Sequence, residues 1–462
     1  MPIATALAPA PLQIERHRLA NGLRVVLHRD ASLPLVAINL WYHTGSKNER
    51  RGKTGFAHLF EHMLFQGSAH VGANEHFRWV QSVGGVANGS TWYDRTNYYE
   101  TLPASSLELG LWLESDRMGF LLPGMTPEKL ETQRQVVMNE RRQRVDNQPY
   151  GRAAERLWEL LFPPEHPYSW PVIGTMEDLA AATLDDVRDF FSTWYAPDNA
   201  VLTLAGDFDP ERAVELVERY FGEIPSGRGQ RPAAVASGRL AGDRFDRLTD
   251  SVQLPRIYLA YTIPAYGQRG WYGADLLSHV LAAGKASRLY QDLVYERELA
   301  QSIASYALPT EAAGSFHVVA TAKPGVSLEL LGRAIDEHLA AAADAPVAEA
   351  ELERVRNRIL TGYFAELQTL DRRADLLSQF TTYFDRPEDV AKEIAIYQEI
   401  DAGELQDVAA TSLRPEDRAR LWVEPASPAR GGSARGAGAR PPEGSAPEAP
   451  SLAGGSSEAA SV

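Results

Sequence analysis

The sequence predicts an α+β protein of two similar modules, each a mainly antiparallel sheet packed with helices. Three observations carry this expectation. The chain has 462 residues, more than a single hydrophobic core usually supports. Apolar runs with strand-like period alternate with runs of helical period along most of it. After a Gly-, Pro- and Arg-rich stretch at 225–234, the same order of elements begins again. The expected boundaries are a first module at 1–223, a linker at 224–236, a second module at 237–425 and a disordered tail at 426–462.

In the first module, residues 14–19 precede an Asn21-Gly22 pair and a strand-like run at 23–28, the pattern of a hairpin. Residues 36–42 form another apolar strand, and a helix begins near Thr54-Gly55. After Gly84-Gly85, residues 87–102 alternate polar and aromatic side chains, which predicts an exposed strand pair. Helices follow at 107–120 and 127–144, the second opening after Thr126 with Pro127 at its first position. Residues 200–206 read as a buried strand, and Asp209-Pro210 opens a helix to about residue 220.

The second module is predicted to have strands at 256–262, 314–322 and 418–423, with helices at 271–281, 327–343 and 349–370. The passage Leu102-Pro103 to Leu107-Glu108-Leu109 is echoed by Ala322-Lys323-Pro324 to Leu328-Glu329-Leu330. Beyond residue 426, Gly, Ala, Ser, Pro and Glu dominate with few apolar anchors, which predicts disorder.

Charge and cysteine content exclude several functions. The net charge of −15 argues against a nucleic-acid partner, because phosphate binding needs clustered cations. No stretch approaches the ~20 apolar residues of a membrane span. With no cysteine, neither a disulfide nor a thiolate ligand is possible, so a transition-metal site must use His, Asp and Glu. Residues 1–12 lack the basic and long apolar regions of a secretory signal. The expected compartment is the cytoplasm, with the periplasm as alternative if a signal has been removed.

The chemistry-bearing pattern is His58-Leu59-Phe60-Glu61-His62. Residues i and i+4 of a helix share one face, so His58 and His62 can aim two imidazoles at a single ion with Glu61 beside them. The ordinary explanation is a solvated polar face, and the pattern arises by chance in about one such chain in fifty. Flanking Phe56, Leu59, Phe60, Met63, Leu64 and Phe65 nevertheless call for burial, and polar groups on a half-buried helix need partners. Zinc accepts imidazole and carboxylate, and its hydrolytic sites combine three protein ligands with an open position for water. In the order H-x-x-E-H the Glu is read as general base, so the third ligand must come from elsewhere. The best candidate is Glu140, within Gln135-Val136-Val137-Met138-Asn139-Glu140-Arg141-Arg142; Glu131 is the weaker alternative. His28, His43, His70, His76 and His166 read as surface or core-rim residues.

The stretch from Gly55 to Ser68 resembles the pitrilysin/insulinase family, most closely its branch of mitochondrial processing peptidase and small bacterial peptidases. Further similar stretches run from Gly84-Gly85 to Tyr98, over Gln133 to Arg142, and through Asn147-Gln148-Pro149-Tyr150-Gly151. Tyr195-Ala196-Pro197-Asp198-Asn199-Ala200 and Ala205-Gly206-Asp207 also match, so the resemblance spans about residues 14–424. It implies a zinc endopeptidase with one Zn2+ per chain, bound by His58, His62 and Glu140, with Glu61 as general base. It implies half of a clamshell as the fold, and peptides as substrates. Between His62 and Glu140, 77 residues intervene, slightly more than is usual in the family. Some relatives place a helper Glu where this chain has Gln133. Asn88-Gly89-Ser90 resembles the edge strand that pairs with an extended substrate in the family, a β-augmentation mode.

The second module has no such motif; the matching region reads Asp275-Leu276-Leu277-Ser278-His279-Val280. Self-sufficient relatives carry an Arg and a Tyr there that hold the substrate carbonyl. In that register this chain has Val294 and Gln301, neither of which can stabilise an oxyanion comparably. The expectation is therefore a heterodimer in which a zinc-less homologous subunit supplies the Arg and Tyr. The alternative is a self-sufficient homodimer that uses Arg297 or Tyr306 in a shifted register. A third reading is a non-catalytic structural subunit, but those resemble the family with degraded motifs.

Overall fold

The computed structural model describes residues 12–227 and 240–426. The first eleven residues, most of the expected linker and the expected disordered tail lie outside the described residues.

Two sheets organise the chain. The first contains β1 (Glu15–Arg18), β2 (Arg24–Arg29), β3 (Leu35–Tyr42), β4 (Val86–Thr91), β5 (Thr96–Pro103) and β6 (Ala200–Gly206). Their order is β1-β2-β6-β3-β5-β4. The second contains β7 (Arg244–Asp250), β8 (Arg256–Ile263), β9 (Ala300–Leu308), β10 (Gly314–Ala322) and β11 (Ala419–Pro425), in the order β7-β11-β8-β10-β9. Parallel pairing occurs between β2 and β6 and between β7 and β11, and every other pairing is antiparallel. Laying β2 on β7, β3 on β8, β4 on β9, β5 on β10 and β6 on β11 reproduces every neighbour and its direction. Both modules therefore have one topology, and the predicted α+β class with mainly antiparallel sheets describes them.

The helices follow the same plan. In the first module they include α1 (Phe56–Met63), α2 (Glu75–Ser82), α3 (Leu107–Phe120), α4 (Pro127–Arg141) and α5 (Ala153–Leu161). By chain order, the helices Arg269–Ala282, Leu328–Asp344, Glu349–Glu366 and Leu370–Phe384 are the counterparts of α1, α3, α4 and α5. The expected single helix at 349–370 is thus two helices.

The modules exchange their fourth helices. From α5, Leu157, Trp158 and Leu161 pack against Tyr258, Ala260 and Leu421 of the second sheet. From Leu370–Phe384, Leu376, Leu377 and Phe380 pack against Val26, Trp41 and Val201 of the first. Sheets covered on both faces have continuously apolar central strands, which explains why every residue of β6 and β10 is buried. It also corrects the expectation of an exposed strand pair at 87–102. In β5, Thr96, Asn97, Tyr98, Glu100 and Leu102 are all buried. The exchanged helix sets Asp375 on this face, where its Oδ1 accepts from Asn97 Nδ2 at 3.2 Å and Trp41 Nε1 at 2.9 Å.

Candidate metal centre

The first turn of α1 is anchored from outside the helix. Gly55 has φ 85°, and a Cβ there would stand 2.6 Å from the Ile173 carbonyl oxygen and 2.8 Å from Gly174 Cα. Both the left-handed backbone and the close approach require glycine. The opening N–H groups of a helix lack internal partners, and here Glu49 accepts from Gly55 N at 3.0 Å and Ala57 N at 2.7 Å. Asp178 Oδ2 accepts from Thr54 N at 2.9 Å and Thr54 Oγ1 at 2.6 Å. Burial pushes the Glu49 carboxyl well up, against the pull of those backbone N–H groups.

With its start so held, α1 buries Phe56, Leu59, Phe60 and Met63 in the first core and turns His58 and His62 toward α4. Their rings stand 4.8 Å apart. Glu140 Oε2 lies 3.7 Å from His58 Nε2 and 3.3 Å from His62 Nε2. The three side chains are only 11–13% exposed. Arg144, one turn on from Glu140, contacts its other oxygen at 2.7 Å. Burial opposes ionisation of Glu140, but contact with His62 and the charges of His58 and Arg144 prevail and hold its carboxyl down at about 2. Burial and the neighbouring His62 lower His58. At His62 burial is outweighed by Glu140 and Glu61, with a hydrogen bond to Gln133, so its pKa is raised.

Glu61 is buried beside the pair, and its Oε2 accepts from Thr91 Oγ1 at 2.6 Å. Thr91 ends β4, the outermost strand of the sheet. The strand runs so close that a Cβ on Gly89 would lie 3.2 Å from Glu61 Cγ. Asn88 Oδ1 accepts from Gly89 N at 2.8 Å. Ser90 is buried, donating to Asn97 Oδ1 at 2.6 Å and accepting from Arg95 Nη1 at 2.6 Å. Asn88, Gly89 and Ser90 thus lie on an edge strand next to Glu61, with the Ser90 hydroxyl engaged inside the sheet.

Glu131 is not brought to the histidines; it pairs with Arg134 and Gln135 on its own helix. A second buried group, His76, Glu100 and Glu114, also brings three donor atoms within 4.8 Å. There Arg117 grips Glu114, with Nε 2.8 Å from Oε2, which suits an internal ion pair better than a divalent cation. His28, His43, His70 and His166 contact Gln13, Glu311, Asp116 and Tyr168 respectively, away from the pair. Glu49, Thr91 and Asp178 are functional neighbours that local sequence pattern does not announce.

In the second module, Asp275, Ser278 and His279 occupy the helix corresponding to α1 at the spacing of His58, Glu61 and His62. Val294 packs on the second core, and Gln301 is exposed on β9. The shifted register is corrected by the structure. Arg297 pairs with Glu337 at 2.9 Å and Asp292 at 3.3 Å. Tyr306 stacks on His317, with ring centroids 5.0 Å apart, in the core shared with α5. Neither side chain is free to reach a substrate.

Comparison with known proteins agrees with this architecture. Residues 24–163 match the family model described as Insulinase (Peptidase family M16), and residues 181–359 match Peptidase M16 inactive domain. The chain is 30% identical to zinc protease PqqE of Helicobacter pylori over 388 residues, which covers 79% of this chain and 83% of that protein. It is 29% identical to an uncharacterized zinc protease of Mycobacterium leprae, over 76% of this chain and 79% of the other. The crystal structure of a protease from Helicobacter pylori superposes with a TM-score of 0.84 at 27% identity, covering 90% of this chain and all of that one (100%). The chain therefore belongs to the M16 family of insulinase/pitrilysin-like peptidases, with an amino-terminal and a carboxy-terminal M16 domain.

Proposed function

We propose that the chain is a zinc-dependent endopeptidase acting on peptides or unfolded polypeptides, and the zinc-bearing subunit of a heterodimer of the mitochondrial processing peptidase type. The observation that carries the reading is the convergence of His58 Nε2, His62 Nε2 and Glu140 Oε2 within 4.8 Å, with a buried carboxylate, Glu61, alongside. The donors suit zinc. His62 Nε2 is buried and makes no hydrogen bond although Glu140 Oε2 is 3.3 Å away. Two imidazoles and one carboxylate are ligands zinc prefers, and three protein ligands leave a position open. When bound, zinc acidifies a water to a pKa of about 7 and polarises a carbonyl.

The chain's own groups divide the remaining work. Glu61 takes the water's proton on its carboxylate and returns it to the leaving amine. Thr91 fixes the Glu61 carboxylate, and Arg144 balances the charge of Glu140. The free edge of β4 accepts an extended peptide through main-chain hydrogen bonds at Asn88, Gly89 and Ser90. The partner, a zinc-less homologous subunit, supplies the Arg and Tyr whose positions here are Val294 and Gln301; the engagement of Arg297 and Tyr306 elsewhere favours this over self-sufficiency. Replacing Glu61 by Gln in the native assembly should retain zinc and lower turnover by roughly 10²–10⁴-fold. A zinc-loaded variant with wild-type turnover defeats the assignment.

A further inference from the structure

A cavity of about 260 Å3 opens in the second module, lined by residues of the helices Arg269–Ala282, Glu349–Glu366, Leu370–Phe384 and Val390–Glu399. Asp275 and His279 line it from the counterpart of α1, with the same spacing as His58 and His62. Arg358 and Gly362 line it from the counterpart of α4. The cavity is thus the second module's equivalent of the metal centre. It is not itself a metal site, since among the described residues Asp275 and His279 have no third donor in range.

Its walls have a different chemistry. Glu393, 4% exposed, accepts from Tyr266 Oη at 2.9 Å, and Asp275, 6% exposed, accepts from Tyr397 Oη at 2.9 Å. His279 Nδ1 is buried without a partner. The rings of Trp271, Tyr266 and Tyr363 complete the lining. Arg372 is already paired with Glu366 and Asp375, at 3.4 and 3.3 Å, and Arg358 donates to the Ala283 carbonyl at 3.2 Å. Two deep carboxyl groups therefore remain without a cationic partner. Burial pushes both up, Glu393 to about 7, a cost that an incoming cation relieves.

We propose that this cavity binds an organic ammonium group, carried by a peptide's amino terminus or by a lysine side chain. Carboxylates at the base and aromatic faces on the walls are the two features that recognise such cations, and His279 Nδ1 offers a further acceptor. The volume suits an alkylammonium arm rather than a folded element. The inference does not depend on the zinc reading.

Calorimetry on the full chain tests it with three probes: N-acetyl-lysine amide, alanyl-alanine amide with a free amino terminus, and neutral N-acetyl-norleucine amide. At least one ammonium probe should bind saturably, and whichever binds identifies the source. The norleucine probe should not bind. Binding should release protons, seen as a buffer-dependent heat. It should weaken at least tenfold in Glu393→Gln and vanish in Gly362→Leu. A Cβ at Gly362 meets nothing within 4 Å, so that variant should fold and block the cavity. Binding should persist in His62→Ala, which separates this site from the metal centre. Equal binding of the norleucine probe, survival of binding in Gly362→Leu, loss of binding in His62→Ala, or no binding at all overturns the proposal.

Discussion

Thr91 Oγ1 donates a 2.6 Å hydrogen bond to Glu61 Oε2, so the last residue of the edge strand β4 holds the carboxylate carried by α1. The strand proposed to align substrate and the group proposed to move the proton are one mechanical unit. A hydrogen bond to a charged group contributes about 1.5–3 kcal/mol. Thr91→Val should therefore lower kcat by about ten- to hundredfold, with zinc content unchanged and KM nearly so. A variant whose loss lies entirely in KM contradicts a positioning role for Thr91.

Gly55 is where α1 meets the backbone of Ile173 and Gly174. Gly55→Ala places a Cβ 2.6 Å from the Ile173 carbonyl oxygen at φ 85°. The strained conformation and the forced shift together should lower stability by about 2 kcal/mol or more. Zinc retention should fall too, because both histidines ride on this helix. Denaturant unfolding with parallel metal analysis measures both, and an unchanged midpoint speaks against the anchoring argument.

An acid-sensitive contact joins the modules. Lys47, in the first, lies between Asp94 and Glu311, and His43 Nε2 is 2.8 Å from Glu311 Oε2. Burial raises the Glu311 carboxyl, but His43 and Lys47 outweigh it and hold it at about 2. A folded-state pKa below the ordinary carboxylate value stabilises the fold above about pH 4.5, and that stability is lost as pH falls toward 2. The thermal midpoint should thus drop between pH 5 and pH 3, and by less in Glu311→Gln. Identical pH profiles for the two proteins would show that this contact contributes nothing.

The partner claim has its own test. With Val294 and Gln301 at the expected Arg and Tyr positions, the purified chain should cleave unfolded polypeptides weakly by itself. Adding the homologous subunit should raise kcat/KM by about a hundredfold or more, the scale of losing an oxyanion donor. Strong activity of the isolated chain favours a self-sufficient homodimer.

The parts of this site that are legible in sequence are those carried by one helix. The spacing of His58, Glu61 and His62 becomes a shared face directly through helical geometry. Glu140 is legible through its matching context, and Glu131, equally plausible as a carboxylate, is turned elsewhere. Glu49, Thr91 and Asp178 reach α1 through loop and strand contacts that no local period encodes. The same holds for the fold. Continuous apolar runs reveal β3, β6 and β10. By contrast β7 reads Arg-Phe-Asp-Arg-Leu-Thr-Asp and is a half-exposed edge, too polar to announce a strand. The helices Ala153–Leu161 and Leu370–Phe384 owe their apolar faces to the opposite module's sheet, so neither is explained by its own module.

The central claim is that His58, His62 and Glu140 together hold one catalytic zinc, and metal analysis of the purified chain tests it most directly. The account predicts about one zinc per chain in the wild type and in Glu61→Gln, and almost none in Glu140→Gln with its fold intact by circular dichroism. A zinc-free wild type, or a Glu140→Gln variant that keeps its zinc, contradicts it.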